Sequence, residues 1–140
     1  MYSFRKSKKG FTLIELMVVV AIIGVLALLG LRLYTGQQQK AKNAIVKANA
    51  GTVQTLIQAE LADALADTVW AKVGNPGAAS TLIEASGIHV PDGDLQTDNG
   101  ESSDTGYVTV TYDDASEIFT INGVSFSGGP VYLDSLTARK

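Results

Sequence analysis

The chain passes from a wholly apolar pattern to an amphipathic one near residue 32. Between residues 11 and 31 only Thr12 and Glu15 are polar. About 20 apolar residues in a helix cross ~30 Å of hydrocarbon, so this run is long enough to span a bilayer. Further along, apolar residues recur every three or four positions, which is typical of a helix with one buried face. That face comprises Val46, Ala50, Val53, Ile57, Leu61 and Ala64, widened by Leu56 and Leu65.

The two patterns together predict a single helix from about Phe11 to about Lys72, because alanine is abundant and no proline occurs before Pro76. At 1.5 Å per residue it would be about 90 Å long. Gly74-Asn75-Pro76-Gly77 should end it. The spacing of Thr81 and Glu84 resembles a capping box, which predicts a short second helix reaching Ser86 and stopping at Gly87.

The last third of the chain has the period-two alternation of strands. We expect strands at residues 107–112 and 117–121, with two shorter ones at 124–126 and 131–133. Asn122-Gly123 is a hairpin signal, and residues 91–106 should form a loop. The predicted fold is therefore α+β: a long N-terminal helix whose hydrophobic half protrudes and whose amphipathic half packs on an antiparallel sheet of three or four strands.

Charge is distributed as unevenly as hydrophobicity. Arg5, Lys6, Lys8 and Lys9 precede Gly10, whereas all 14 acidic residues follow it. Basic residues next to a membrane span favour the cytoplasmic side. The acidity of the remaining chain argues against a basic groove for nucleic acid. The chain has no cysteine, which excludes a lipoprotein anchor, a disulfide framework and a cysteine-ligated metal site.

Two simpler interpretations of the N-terminal segment compete. A secretory signal peptide has a shorter apolar region ending in a small-residue cleavage site, and no such site occurs around residues 28–34. An ordinary membrane anchor remains possible on the residues alone. It gives no reason, however, for placing Glu15 near one end of the apolar run.

The sequence from Gly10 to Leu16, preceded by Lys8-Lys9 and followed by the apolar run, resembles the type IV pilin signature. The resemblance is strong over about residues 5–31 and architectural beyond them. It implies a leader at 1-10, a transmembrane and filament-core helix at 11-36 and a globular head at 37-140. It also implies that a prepilin peptidase cuts after Gly10 and that Phe11, the new N-terminus, becomes N-methylated.

The resemblance gives Glu15 and Phe11 a role in assembly. In this family the glutamate is thought to pair with the N-terminal amine of a neighbouring subunit. The alternative is that Glu15 pairs within its own chain, four residues from that amine. The filament core would be built from the apolar helix, with Leu13, Ile14, Leu16, Met17, Val20, Ile23, Gly24 and Leu28 as its members.

Two departures from the family pattern stand out. Many relatives carry a proline where this chain has Arg32, and their helix unwinds in filaments between that proline and a glycine matched by Gly24. We expect any unwound segment to lie between Gly24 and Gly36. Paired cysteines near the C-terminus are also missing, so strand pairing and packing must hold the terminal loop.

No catalytic set of residues is apparent. The acidic loop from Asp92 to Asp104 lacks EF-hand spacing, because its sixth position is Thr97 rather than glycine. His89 is the sole histidine. We therefore expect a non-enzyme without metal or cofactor.

The resemblance implies a structural subunit of a bacterial type IV pilus, held in the inner membrane before assembly and extracellular after it. The filament would serve adhesion, twitching motility or DNA uptake. Implied partners are further copies in a helical filament, the prepilin peptidase, the assembly platform, minor pilins and membrane lipid, with nucleic acid left open. The alternatives are a type II secretion pseudopilin and a membrane-anchored binding domain that never polymerises.

Overall fold

A computed structural model describes residues 10–126, 129–131 and 135–140. The chain divides into two compact units, the first ending at Gln37 and the second beginning at Gln38. The described elements are the helices α1 (Leu13–Asp63), α2 (Ala66–Val73) and α3 (Thr81–Ala85) and the strands β1 (Val108–Asp113), β2 (Ile118–Gly123) and β3 (Leu136–Arg139).

The second unit contains the core. Its three strands form an antiparallel sheet in the order β1-β2-β3. The part of α1 in this unit buries the predicted apolar face against the sheet, and this packing confirms the α+β prediction. The buried cluster combines Ala50, Val53, Ile57 and Leu61 of α1 with Val108, Val110, Phe119, Ile121 and Ala138 of the strands.

The expectation of one helix to about Lys72 is wrong. The first helix ends at Asp63, and Leu65 has an extended backbone (φ −76°, ψ 152°) before α2 begins. A continuous helix would carry the buried face of Leu61 on to the polar residues Thr68 and Lys72. The interruption turns Ala66, Val69 and Val73 inward instead and leaves Leu65 68% exposed.

The hairpin prediction at Asn122-Gly123 is also wrong, because both residues belong to β2. The turn lies between β1 and β2, where Glu117 has a positive φ of 52°. Gly123 pairs with Val108, and an added Cβ there would lie 2.5 Å from Val46 Cγ1. Glycine is thus required by close packing rather than by a turn.

The C-terminal strands differ from expectation as well. Residues 124–126 form no strand, and Val124 makes one isolated bridge to Pro130. Of the expected strand at 131–133, residues 132 and 133 lie outside the described residues. The third strand is β3, four residues long, which the pattern did not predict.

The short helix occurs where expected, with its cap shifted by one residue. Ser80, not Thr81, is the N-cap of α3, and its side chain accepts a hydrogen bond from the Ile83 amide at 3.1 Å. Gly87 follows the helix with φ +65°, a conformation that glycine adopts without steric cost.

Candidate functional site

The N-terminus of α1 is capped by a reciprocal capping box between Thr12 and Glu15. The Glu15 Oε2 atom accepts hydrogen bonds from Thr12 N at 2.8 Å and from Thr12 Oγ1 at 2.7 Å. The Glu15 amide in turn donates to Thr12 Oγ1 at 3.3 Å. This exchange satisfies donors that a helix N-terminus leaves unpaired, and a carboxylate there also suits the helix dipole.

Sequence reasoning missed this box. The order Thr12-Leu13-Ile14-Glu15 has the spacing of the box proposed at Thr81, and it directly precedes an apolar run. The box begins α1 at Leu13 and leaves Gly10 and Phe11 outside the helix. The peptide bond between those two residues, where cleavage is predicted, is therefore non-helical and exposed.

Only one oxygen of the Glu15 carboxylate is used by the box. Within the described part of the chain, Oε1 accepts no hydrogen bond. An ionised carboxylate has about four acceptor positions, so Glu15 retains capacity for a second partner. That partner is not supplied by the described residues of the same chain.

The large side chains predicted to form the filament core are exposed in the single chain. The exposed fraction of the large apolar residues of this run ranges from 84% at Phe11 to 46% at Val19. Gly24 has open space around it. Monomeric soluble proteins rarely expose apolar surface on this scale, so it indicates contact with a membrane or another protein. By length and composition α1 is able to cross a membrane, and none of its apolar window is buried.

The helix is unbroken from Leu13 to Asp63, including the interval from Gly24 to Gly36. Unwinding of that interval in a filament stays a prediction, since one subunit does not test it. Arg32 lies in the same interval. Besides the backbone bonds of the helix, its carbonyl accepts a hydrogen bond from Thr35 Oγ1 at 3.1 Å, and its guanidinium has no partner among the described residues.

Two acids of the loop from Asp92 to Asp104 make contacts within the second unit. Asp92 forms an ion pair with Lys42 at 2.6 Å. Asp104 accepts from the Glu101 amide at 3.0 Å. Among the described residues no group of three or more His, Cys, Asp or Glu side chains is arranged to hold a metal ion.

Three aromatic residues that are far apart in the sequence meet in the head. The ring of Tyr112 lies 4.6 Å from that of Phe119 and 5.7 Å from that of Trp70. Partial burial, together with the nearby charge of Asp67, raises the pKa of Tyr112 above its ordinary value of 10.0. The sequence showed these aromatics as scattered, and only the tertiary fold reveals the cluster.

Comparison with known proteins adds the family context. The profile of the prokaryotic N-terminal methylation motif matches residues 5–31. The chain is 34% identical over 113 residues to the type IV major fimbrial protein FimA of Dichelobacter nodosus, covering 75% of this chain and 71% of that protein. No solved structure matches significantly.

Two further relatives match over a shorter part of the chain. The fimbrial protein EcpB of Eikenella corrodens is 47% identical over 55 residues, 39% of this chain and 35% of that protein. The type IV major alpha-pilin of Moraxella bovis is 42% identical over 55 residues, again 39% and 35%. The match to FimA, in contrast, extends well into the head.

Proposed function

Because the chain belongs to the type IV pilin family, we propose that it is the structural subunit of a bacterial type IV pilus. The subunit is inserted in the inner membrane through α1, cut after Gly10 and polymerised into an extracellular filament. The observation that carries the proposal is the exposed apolar stretch from Phe11 to Leu31, whose one carboxylate, Glu15, keeps an oxygen that no described residue uses.

Processing creates the positive counter-charge that the Glu15 carboxylate needs. Cleavage after Gly10 converts the backbone nitrogen of Phe11 from a neutral amide into an amine, which is N-methylated and remains cationic. A charge in hydrocarbon costs several kcal/mol unless it is paired. The amine of one subunit and the Oε1 atom of Glu15 in its neighbour neutralise each other, so cleavage and assembly are coupled.

The same apolar surface serves both states of the subunit. In the membrane the helix is surrounded by lipid, and in the filament it is surrounded by further copies of itself. Both surroundings remove the apolar surface from water. The free energy of the helix in lipid therefore differs much less from that in the filament than either differs from that in water. Head-to-tail contacts that do not close into a ring produce a helical filament.

The proposed partners are the prepilin peptidase, the assembly platform, minor pilins and inner-membrane lipid before assembly. The filament would act in adhesion, twitching motility or DNA uptake. The relatives bear names of fimbrial proteins and pilins, which favours a pilus over the pseudopilus of type II secretion.

Electron microscopy and mass spectrometry of sheared surface filaments test the proposal. We expect filaments of a chain that begins with N-methylated Phe11. Glu15→Ala should leave cleaved subunits in the membrane without filaments. Asp63→Ala, which removes an exposed acid from the other end of α1, should assemble normally and is the matched control.

Two results would contradict the proposal. The first is a purified chain that keeps its first ten residues and remains a single molecule in lipid. The second is normal filament formation by Glu15→Ala, which is the behaviour expected of an anchored domain that never polymerises.

A further inference from the structure

The described residues of the first unit contain two charged side chains, Glu15 and Arg32. Neither has an oppositely charged partner among the residues that the structure describes. Glu15 uses Oε2 for Thr12, and Oε1 accepts no bond from any described residue. The guanidinium of Arg32 makes no hydrogen bond or ion pair within the described part of the chain, where the residue bonds through its backbone. The remaining large side chains from Phe11 to Tyr34 are apolar and exposed, so both charges lie on the surface that the proposed filament would cover.

Helix geometry prevents the two from pairing within one molecule. They are 17 positions apart in one unbroken helix. At 1.5 Å and 100° per residue, this places them about 25 Å apart along the axis and about 100° apart around it. A counter-charge for Arg32 must therefore come from outside its own first unit.

We propose that Arg32 of one copy pairs with Glu15 of a second copy that lies parallel to it and is displaced by about 25 Å along the filament axis. The inference rests on the proposed pilus function and adds a second intersubunit contact to it. Each copy then offers its Glu15 to one neighbour and its Arg32 to another. Because the two side chains point in different directions, the contact is heterologous and propagates without closing.

The chemistry of the two groups supports the pairing. A guanidinium presents a planar fork of donors that fits a carboxylate, and Glu15 keeps one oxygen for it beside the Thr12 bonds. Since a carboxylate accepts several hydrogen bonds, Arg32 and the Phe11 amine of different copies can share it. Each Glu15 carboxylate then contacts two cations, the Arg32 guanidinium of one neighbouring copy and the Phe11 amine of another.

Acids in the head are weaker candidates for the partner of Arg32. Glu60 and Asp92 are already paired with Lys72 and Lys42, and Asp63 is exposed to water. Attraction between charges grows as water is excluded. The carboxylate inside the apolar layer therefore gains most from a cation.

Disulfide trapping tests the register directly, because the chain has no cysteine of its own. Val19→Cys places a thiol about one turn C-terminal to Glu15, and Thr35→Cys places one about one turn C-terminal to Arg32. In the proposed pair these two thiols lie on the same side of the contact and face each other. The two variants are expressed together, and their filaments are oxidised and run on a denaturing gel. A disulfide needs Cα atoms within about 7 Å, so only neighbours in the proposed register react.

The matched control replaces Thr35→Cys by Leu28→Cys, which lies two turns lower on the same face and about 10 Å out of register. We expect disulfide dimers from the Val19 and Thr35 pair and none from the Val19 and Leu28 pair. Filaments that yield no dimer, or that yield it only with Leu28, overturn the Arg32 pairing while leaving the pilus function intact. Failure of the native chain to form any filament overturns the pilus function instead.

A second measurement covers the case in which the cysteine variants do not assemble. Arg32→Gln removes the cation and should lower the ratio of filament to membrane subunit by about tenfold or more, because it leaves desolvated charge with fewer partners. Arg32→Lys keeps the cation and should restore most of that ratio. If Arg32→Gln leaves the ratio of filament to membrane subunit unchanged, the inference is overturned. This includes the case in which Arg32→Gln changes only membrane insertion, because Arg32 would then contact lipid phosphate alone.

Discussion

The carboxamide of Asn99 binds both backbone polar groups of Val110, donating to its carbonyl at 2.7 Å and accepting from its amide at 2.7 Å. Gln96 does the same for Val108, at 2.7 and 3.0 Å. These buried amides occupy the edge of β1 that β2 leaves free. An open strand edge invites pairing with other chains, so the two side chains close the sheet where a further strand could add.

Side-chain amides also bind the free edge of β3, on the opposite side of the sheet. Gln54 of α1 donates to the Thr137 carbonyl at 2.8 Å, and Gln58 donates to the Arg139 carbonyl at 3.0 Å. Side-chain amides therefore contact both outer strands of the sheet. If the chain assembles through its N-terminal helix, as proposed, closed sheet edges prevent a competing route of association.

Asn99→Asp should destabilise the head by about 3 kcal/mol, because it buries a charge and removes the donor to the Val110 carbonyl, although a carboxylate oxygen still accepts from the Val110 amide. The bond from Asn99 Nδ2 to the Gly74 carbonyl, 2.9 Å long, is lost as well. Urea unfolding of the full chain in detergent, followed by circular dichroism of the head, measures the change. Asn122→Asp is the control, since that side chain is half-exposed and should shift stability by less than ~0.5 kcal/mol. Equal shifts for the two variants would refute the edge role of Asn99.

Patterns that depend on neighbouring residues could be predicted from the sequence. The buried face from Val46 to Leu61 follows from helical periodicity alone, and β1 and β2 follow from alternation. The signature at residues 10–16 likewise indicates the family through residue types and their spacing. These features are local, and tertiary packing reinforces rather than overrides them.

Features decided by distant contacts could not be predicted in this way. Strand β3 is four residues long and is defined by its pairing with β2. Gln96 and Asn99 have the composition of an ordinary polar loop, and their burial depends on β1 lying beside them. The end of α1 at Asp63 has no glycine or proline to signal it, because it results from the apolar positions shifting phase between Leu61 and Ala66.

The position of the α3 cap gives a second test. Ser80→Ala should cost about 1 kcal/mol, since it removes the bond to the Ile83 amide and a second bond from Ser80 Oγ to the Lys72 carbonyl. Thr81→Ala removes only a 3.2 Å bond to that carbonyl and should cost less than half as much. The same unfolding experiment ranks the two variants. A larger loss of stability for Thr81→Ala than for Ser80→Ala would show that Thr81, as the sequence suggested, is the N-cap of α3.

Two glycines of the head should respond oppositely to alanine. At Gly51, in α1, an added Cβ meets nothing within 4 Å, so Gly51→Ala should stabilise the helix by about 0.5–1 kcal/mol. At Gly123 the Cβ would lie 2.5 Å from Val46 Cγ1 and 2.8 Å from Val131 Cγ2, so Gly123→Ala should destabilise by about 1–3 kcal/mol. Thermal unfolding of both variants in one detergent supplies the comparison. Stabilisation by Gly123→Ala would mean that β2 and α1 have room for a methyl group between them.

The stability of the head should decline at alkaline pH partly through Tyr112. Its pKa is raised in the fold by partial burial and then by the charge of Asp67, so folding favours the protonated phenol. That contribution is fully present below the ordinary pKa of 10.0 and is lost as pH rises through the higher pKa of the folded state. Tyr112→Phe keeps the ring contacts with Trp70 and Phe119 but has no proton to lose.

Urea unfolding of the native chain and of Tyr112→Phe at pH 8, 9.5 and 11 measures this contribution. We expect the free energy of unfolding to fall less steeply with pH in the variant, so that the two curves separate only above about pH 10. Tyr107→Phe should act in the same direction, because burial and then Asp98 raise the pKa of Tyr107 as well. The double variant should combine both effects, since the two phenols have different charged neighbours. Parallel curves for the native chain and Tyr112→Phe across this range would show that the phenol titrates alike in the folded and unfolded states.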